Sequence, residues 1–164
     1  MSRIEGRKNQ LNIIKAVKDL PYKFVFIGQA GANFKKYYER CKKEASSNIF
    51  FLGQVEHTKL PQFYQLAKVH ILASWMETPG LSSLEAAVMK TNIVVTKKGD
   101  TEDYFKKYAY YCEPDDLDSI RRAVVAAFEG SFNEELSDRI LKYYKWEDTA
   151  KATLEGYNRI IGKE

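Results

Sequence analysis

Two glutamates, Glu77 and Glu85, stand on either side of seven residues that include Pro79, Gly80, Leu81 and Ser82. A carboxylate accepts hydrogen bonds from hydroxyl groups. A glycine admits close backbone approach, and the first turn of a helix presents free N–H groups to an anion. One short segment thus offers acceptors for hydroxyls and a cradle for phosphate, the combination that suits a sugar nucleotide. Far upstream, Arg3 and Lys8 flank the start of the first helix. Together they offer two charge-assisted contacts to a diphosphate, provided that helix faces the Glu77–Glu85 loop across the sheet edge.

Glu85 is the unusual member of the set. Leu81, Leu84 and Val88 mark an apolar stripe, and Glu85 falls four residues after the first and three before the last, on the inward face. A carboxylate there is costly unless something pairs with it. Two local readings stand side by side. Ser82 caps the helix and Glu85 folds back onto it as a capping box, or Thr78 caps with Pro79 at the first helical position and Glu85 lies in the second turn.

The elements that must position these residues alternate in type. Apolar strands are expected at 22–28, 48–53, 69–74, 92–96 and, more weakly, 108–113. Between them run helical patterns: Ile13, Ala16, Val17 and Leu20; 33–46; 57–68 with Leu60, Phe63, Tyr64 and Ala67 on one face; the helix that carries Glu85; and 101–107. Pro114-Asp115-Asp116 opens another, with Ile120, Ala123, Val124, Ala127 and Phe128 inward. Alternation of this kind predicts an α/β fold, a Rossmann-like parallel sheet flanked by helices, with ligands at the carboxyl ends of the strands. Gly28, Gly53, Ser74 and Thr96 end four of these strands and would line such a crevice. After Gly130 the pattern turns wholly helical, with 133–144 and 146–161 as closing helices that pack on the sheet or reach toward a neighbouring domain. The first helix is preceded by no strand, so the expectation is a fragment cut inside or just after one.

The 164 residues suit one domain. The net charge of +4 and pI near 8.9 are mildly basic. The lysines are scattered rather than gathered into a stripe with aromatics, which argues against nucleic acid. Two distant cysteines and two histidines lack metal-ligand spacing, so no metal is expected. A reduced, cytoplasmic setting fits, and no apolar run reaches membrane-spanning length.

R-x4-K at Arg3 and Lys8, Gly28 after an apolar strand, N-I-F-F-L-G-Q-V at 48–55 and E-x7-E at Glu77 and Glu85 together resemble the C-terminal, donor-binding domain of group 1 (family 4) retaining GT-B glycosyltransferases. The resemblance runs over nearly the whole chain. It implies a nucleotide-sugar donor, with UDP-sugar favoured over GDP-sugar, and an acceptor in polysaccharide or glycolipid synthesis. By motif, Arg3 and Lys8 would contact the diphosphate, Gly80, Leu81 and Ser82 would offer N–H groups to it, and Glu85 would hold the ribose. Glu77 would meet the transferred sugar, while Gly28 and Val55 would lie along the nucleoside. It also implies a missing N-terminal acceptor domain, so that residues 1–164 alone would be inactive. The parent enzyme would be cytoplasmic, with peripheral contact to the inner face of the membrane. Thr78-Pro79 and Lys97-Lys98-Gly99 depart from the family's usual loops, the second of which carries two glycines. A non-catalytic nucleotide- or sugar-binding module, or a plain interaction domain, remains the alternative.

Overall fold

The computed structural model describes residues 1–162. Five strands, β1 (Phe24–Ile27), β2 (Ile49–Gly53), β3 (Val69–Leu72), β4 (Asn92–Thr96) and β5 (Tyr110–Cys112), alternate with helices. The helices are α1 (Gln10–Val17), α2 (Lys35–Glu44), α3 (Leu60–Leu66), α4 (Leu81–Val88), α5 (Thr101–Phe105), α6 (Leu117–Glu129), α7 (Glu134–Tyr143) and α8 (Trp146–Ile160). Every ladder is parallel, as the alternation predicts. Most strands and helices are shorter than the sequence patterns, β4 matches its expected span, and single turns of 3-10 helix at Ala32–Phe34 and His57–Lys59 open two of the helical segments.

Residue pattern accounts for the layering. β4 reads N-I-V-V-T and is buried throughout, the mark of a parallel strand covered on both faces. Its side chains alternate between two cores. Val94 joins Ile14, Val17, Ile120 and Val124 of α1 and α6, whereas Ile93 and Val95 join Leu84, Phe105, Leu136 and Ile140 of α4, α5 and α7. Helix starts are set by chemistry where it is available. Asp116 accepts hydrogen bonds from the Asp118 and Ser119 N–H groups at the start of α6, and Asn133 accepts one from Glu135 at the start of α7.

Two features differ from a simple doubly wound sheet. The strands form a pair, β1-β2, and a separate triplet, β3-β4-β5, with no ladder between β1 and β3. The two closing helices also behave differently. α7 packs on α4 through Leu136 and Ile140, while α8 buries none of its residues and leaves Trp146, Leu154, Tyr157 and Ile160 exposed. Among the described residues no helix is long and apolar enough to cross a membrane. Of the closing segment, residues 163 and 164 lie outside the described residues.

Candidate functional site at the carboxyl ends of the strands

The segment before α1 is pinned over the strand ends. Asn9, buried and left-handed at φ 60°, donates from Nδ2 to Ala73 O (2.9 Å) and Pro114 O (2.7 Å). Arg7 O accepts from the Trp75 N–H at 3.0 Å. The first helix therefore does face the Glu77 loop, and Lys8 Nζ donates to Glu77 Oε1 at 2.5 Å. Both side chains are withdrawn from water, 13% exposed for Lys8 and 6% for Glu77.

Glu77 is fixed through its backbone as well. Its N–H donates to Lys98 O and its carbonyl accepts from the Asp100 N–H, an isolated parallel bridge to the loop after β4. Gly99 sits there at φ +94°, and a Cβ on it would lie 1.9 Å from Glu77 O. One glycine thus meets the steric demand of the Lys97-Lys98-Gly99 loop. Lys98 pairs with Glu113 at 2.9 Å, and that hydrogen bond raises its pKa.

Between this loop and α4 the chain turns at Gly80, left-handed at φ 63° and the N-cap of the helix. Neither expected helix start survives, since Ser82 is inside the helix, Thr78 and Pro79 precede it and no side chain caps it, but Glu85 does lie in the second turn, as the Thr78 reading had it. The glycine conformation decides the start where hydroxyl caps were available. Ser83 and Leu84 N–H groups both reach Gly80 O, and the Leu81 and Ser82 N–H groups have no acceptor among the described residues.

Glu85 is satisfied by tertiary contacts instead. Its Oε2 accepts from the Tyr64 hydroxyl at 2.9 Å, and its Oε1 lies 3.4 Å from His57 Nε2. The side chain is 39% exposed, at the edge of the stripe rather than inside it. Burial, reinforced by the Glu85 charge, pushes the Tyr64 phenol far above its ordinary range, so it stays a donor. Leu81 was expected on the inward stripe but is exposed, since the buried face consists of Ser83, Leu84, Ala86 and Ala87.

Arg3, Gly28, Val55, Leu81, Ser82 and Glu85 meet around one cavity of about 580 Å³, with Tyr64 and His57 also in its wall. Gly28 has φ +139°, and a Cβ there would lie 1.9 Å from Ser2 O. Glycine is what lets the N-terminal segment lie against β1. Gln29 Nε2 donates to Gln54 Oε1 across the wall of this cavity at 2.5 Å. The Arg3 side chain is 75% exposed and lies 3.7 Å from the buried Glu5 carboxylate, which Arg7 approaches at 3.6 Å. Lys8, Glu77 and Gly80 do not line this cavity. Of the four strand-end residues, Gly28 lines it and Gly53, Ser74 and Thr96 do not.

Sequence reasoning overlooked Tyr64, Glu5 and Asn9. Tyr64 was legible in part, as a tyrosine on an otherwise apolar helix face must find a partner for its hydroxyl. Chemically, the arrangement pairs a solvent-facing guanidinium and free helix N–H groups with a positioned carboxylate. A buried Lys–Glu pair lies next to it.

The family described as glycosyl transferases group 1 matches residues 1–146. Among curated proteins, O-antigen chain mannosyltransferase B of Escherichia coli is 24% identical, over 94% of this chain and 43% of its own length. The chain thus spans less than half of that relative. Sucrose-phosphate synthase from Thermosynechococcus elongatus superimposes with a TM-score of 0.85 at 19% identity, over 100% of this chain and 45% of that one. The HepE protein of Anabaena, solved in complex with UDP and glucose, does so with a TM-score of 0.72 at 17% identity, over 85% and 40%. At these identities the structural likeness speaks for the fold, and the family match decides membership: this chain belongs to the group 1 glycosyl transferases.

Proposed function

We propose that residues 1–164 form the donor-binding domain of a retaining glycosyltransferase, binding a nucleoside-diphospho-sugar in the cavity between the N-terminal segment and α4. The observation that carries this reading is the convergence of Arg3, Gly28, Val55, Leu81, Ser82 and Glu85 on that one cavity. In this reading Glu85, held by Tyr64, accepts from the ribose hydroxyls. The Leu81 and Ser82 N–H groups and the Arg3 guanidinium take the diphosphate, and Gly28 and the Val55 backbone lie along the nucleoside. Departure of the diphosphate builds negative charge, and cations and amides placed beforehand stabilise it. Lys8 and Glu77 lie beside the cavity rather than in it. Lys8 adds positive charge toward the leaving group, and Glu77 faces the sugar.

A uridine nucleotide is favoured over a guanosine one, in line with the UDP held by the HepE structure. The acceptor belongs to polysaccharide or glycolipid synthesis, in keeping with the name of the O-antigen relative. It is held by a domain outside residues 1–164, so the domain alone binds donor without transferring sugar. The parent enzyme works in the cytoplasm, in peripheral contact with the membrane.

Calorimetric titration with UDP, GDP and their sugar forms tests the reading, beside Arg3→Ala and Glu85→Ala. Saturable binding of UDP is expected, weakened about ten- to a hundredfold by each change, the size of a lost hydrogen bond to a charged group. Binding of UDP that neither substitution weakens would place the nucleotide elsewhere.

A further inference from the structure

Glu5 is buried, its side chain 8% exposed, and its Oε1 is enclosed without a hydrogen bond among the described residues. A carboxylate in that position is costly unless charge compensates it. Two guanidiniums do so from a distance. Arg3 Nη2 lies 3.7 Å from Oε1 and Arg7 Nη2 lies 3.6 Å from the same atom, both longer than a charge-assisted hydrogen bond. One carboxylate oxygen is thus shared between two cations and bonded to neither.

The two cations are not equivalent. Arg7 is tethered to the Glu77 loop: its Nη1 reaches Met76 O at 3.5 Å, and its own carbonyl accepts from the Trp75 N–H at 3.0 Å. Arg3 has a side chain 75% exposed and lines the candidate donor cavity, which neither Glu5 nor Arg7 does. The backbone that carries them is fixed. Gln10 Nε2 donates to Arg3 O at 2.8 Å, the Ile4 N–H to Gln29 O at 3.1 Å and the Lys8 N–H to Glu5 O at 3.0 Å. What is left to move is the Arg3 side chain, a long stem whose guanidinium stands between an internal anion and a cavity that fits an external one.

We propose that Glu5 is a positioning residue that acts through Arg3. It holds the guanidinium while the donor cavity is empty, yields it to the diphosphate when donor enters, and takes it back as the nucleoside diphosphate leaves. The inference rests on the donor reading of that cavity. Arg7 makes the exchange possible, because Glu5 keeps one cation when Arg3 turns away. Without Arg7 the same turn would leave a buried charge uncompensated, so Arg3 would stay on Glu5. Glu5 therefore loosens the hold of the site on every ligand that carries a diphosphate. Release of product sets the turnover of many enzymes, and an internal competitor for the leaving diphosphate favours that release.

Calorimetric titration of the full chain with UDP tests the exchange. Glu5→Gln and Arg7→Gln are each measured alone and in the Arg3→Ala background. Opposite signs are expected. Glu5→Gln frees Arg3 and should tighten UDP about three- to fivefold, the size of one partly exposed ion pair. Arg7→Gln leaves Arg3 as the remaining partner of Glu5 and should weaken UDP by a similar factor. Both effects should vanish in the Arg3→Ala background, which a merely structural role for Glu5 would not produce. UDP affinity that Glu5→Gln leaves unchanged or lowers overturns the proposal. So does a tightening that persists with Arg3→Ala, since Glu5 would then repel the diphosphate through space. If Glu5→Gln fails to fold, Arg7→Gln decides, and the proposal falls where UDP binds that variant as well as the parent chain or better. Arg3→Ala alone separates the two failures. UDP affinity that it leaves unweakened refutes the donor reading, and the exchange with it. Weakening by Arg3→Ala with no gain from Glu5→Gln refutes the exchange and leaves the donor reading standing.

Discussion

The pair Lys8–Glu77 gives the sharpest energetic test of the site. The ammonium and carboxylate meet at 2.5 Å with side chains 13% and 6% exposed, and Glu77 is anchored through its backbone to the loop after β4. Glu77 therefore has no easy route into water when its partner is removed. Lys8→Met keeps most of the aliphatic stem and deletes the charge. Breaking a buried pair from one side costs about 3–5 kcal/mol, because the remaining ion is left uncompensated. Against a total stability of about 5–15 kcal/mol that is a large fraction. It corresponds to a fall of about 6–20 °C in melting temperature for a chain of this size. Glu77→Gln alone should also destabilise, by leaving the ammonium without its counter-charge. Adding Glu77→Gln to Lys8→Met should then cost little more than either change alone, since no buried ion remains. Denaturant unfolding of the four proteins measures the coupling as a double-mutant cycle. A coupling below about 0.5 kcal/mol, with each single change costing under about 1 kcal/mol, would show that water screens the pair as it does on a surface. The argument from burial would then be wrong.

Tyr64→Phe removes the donor that holds Glu85 Oε2. Because Glu85 is partly exposed and water can replace the hydroxyl, the loss of stability should be about 1 kcal/mol. UDP affinity, measured by calorimetry, should fall several-fold, with Glu85→Ala in the Tyr64→Phe background weakening it less than Glu85→Ala alone. His70 supplies a pH dependence. Burial, aided by the charge of the Met1 amino group, lowers its pKa well below the ordinary 6.5. Above pH about 6.5 the ring is neutral in folded and unfolded chains and contributes no slope. As the pH falls below that value the unfolded chain takes up a proton that the folded chain refuses, so stability should drop progressively. His70→Gln should flatten that part of the curve in thermal melts from pH 4 to 8.

What was legible in the sequence followed from periodicity and from local chemistry. Ile13, Ala16, Val17 and Leu20 recur at helical spacing, and all are buried. The N-I-V-V-T run is a strand covered on both faces, and Asp116 caps α6 through its own side chain. These are decisions that neighbouring residues take among themselves. The start of α4 shows where such reasoning stops. Ser82 and Thr78 are both good caps, yet the helix begins after Gly80, because the loop must deliver Glu77 to Lys98 and Asp100 before it turns, and a left-handed residue makes that turn. The environment of Glu85 was hidden for the same reason. Spacing alone says that a carboxylate lies near an apolar stripe and needs a partner. The partner, Tyr64, comes from a helix 21 residues earlier, brought there by the packing of α3 on α4. The break between β1 and β3 was not expected, since strand–helix alternation predicts one continuous parallel sheet. The cavity between β1 and β3 is lined by side chains of α1, α3 and α6, which local pattern alone cannot bring together. Local pattern chooses the elements, and the places where a residue must serve two distant elements at once, as Glu77, Glu85 and Ser2 do, are the places where the site is made.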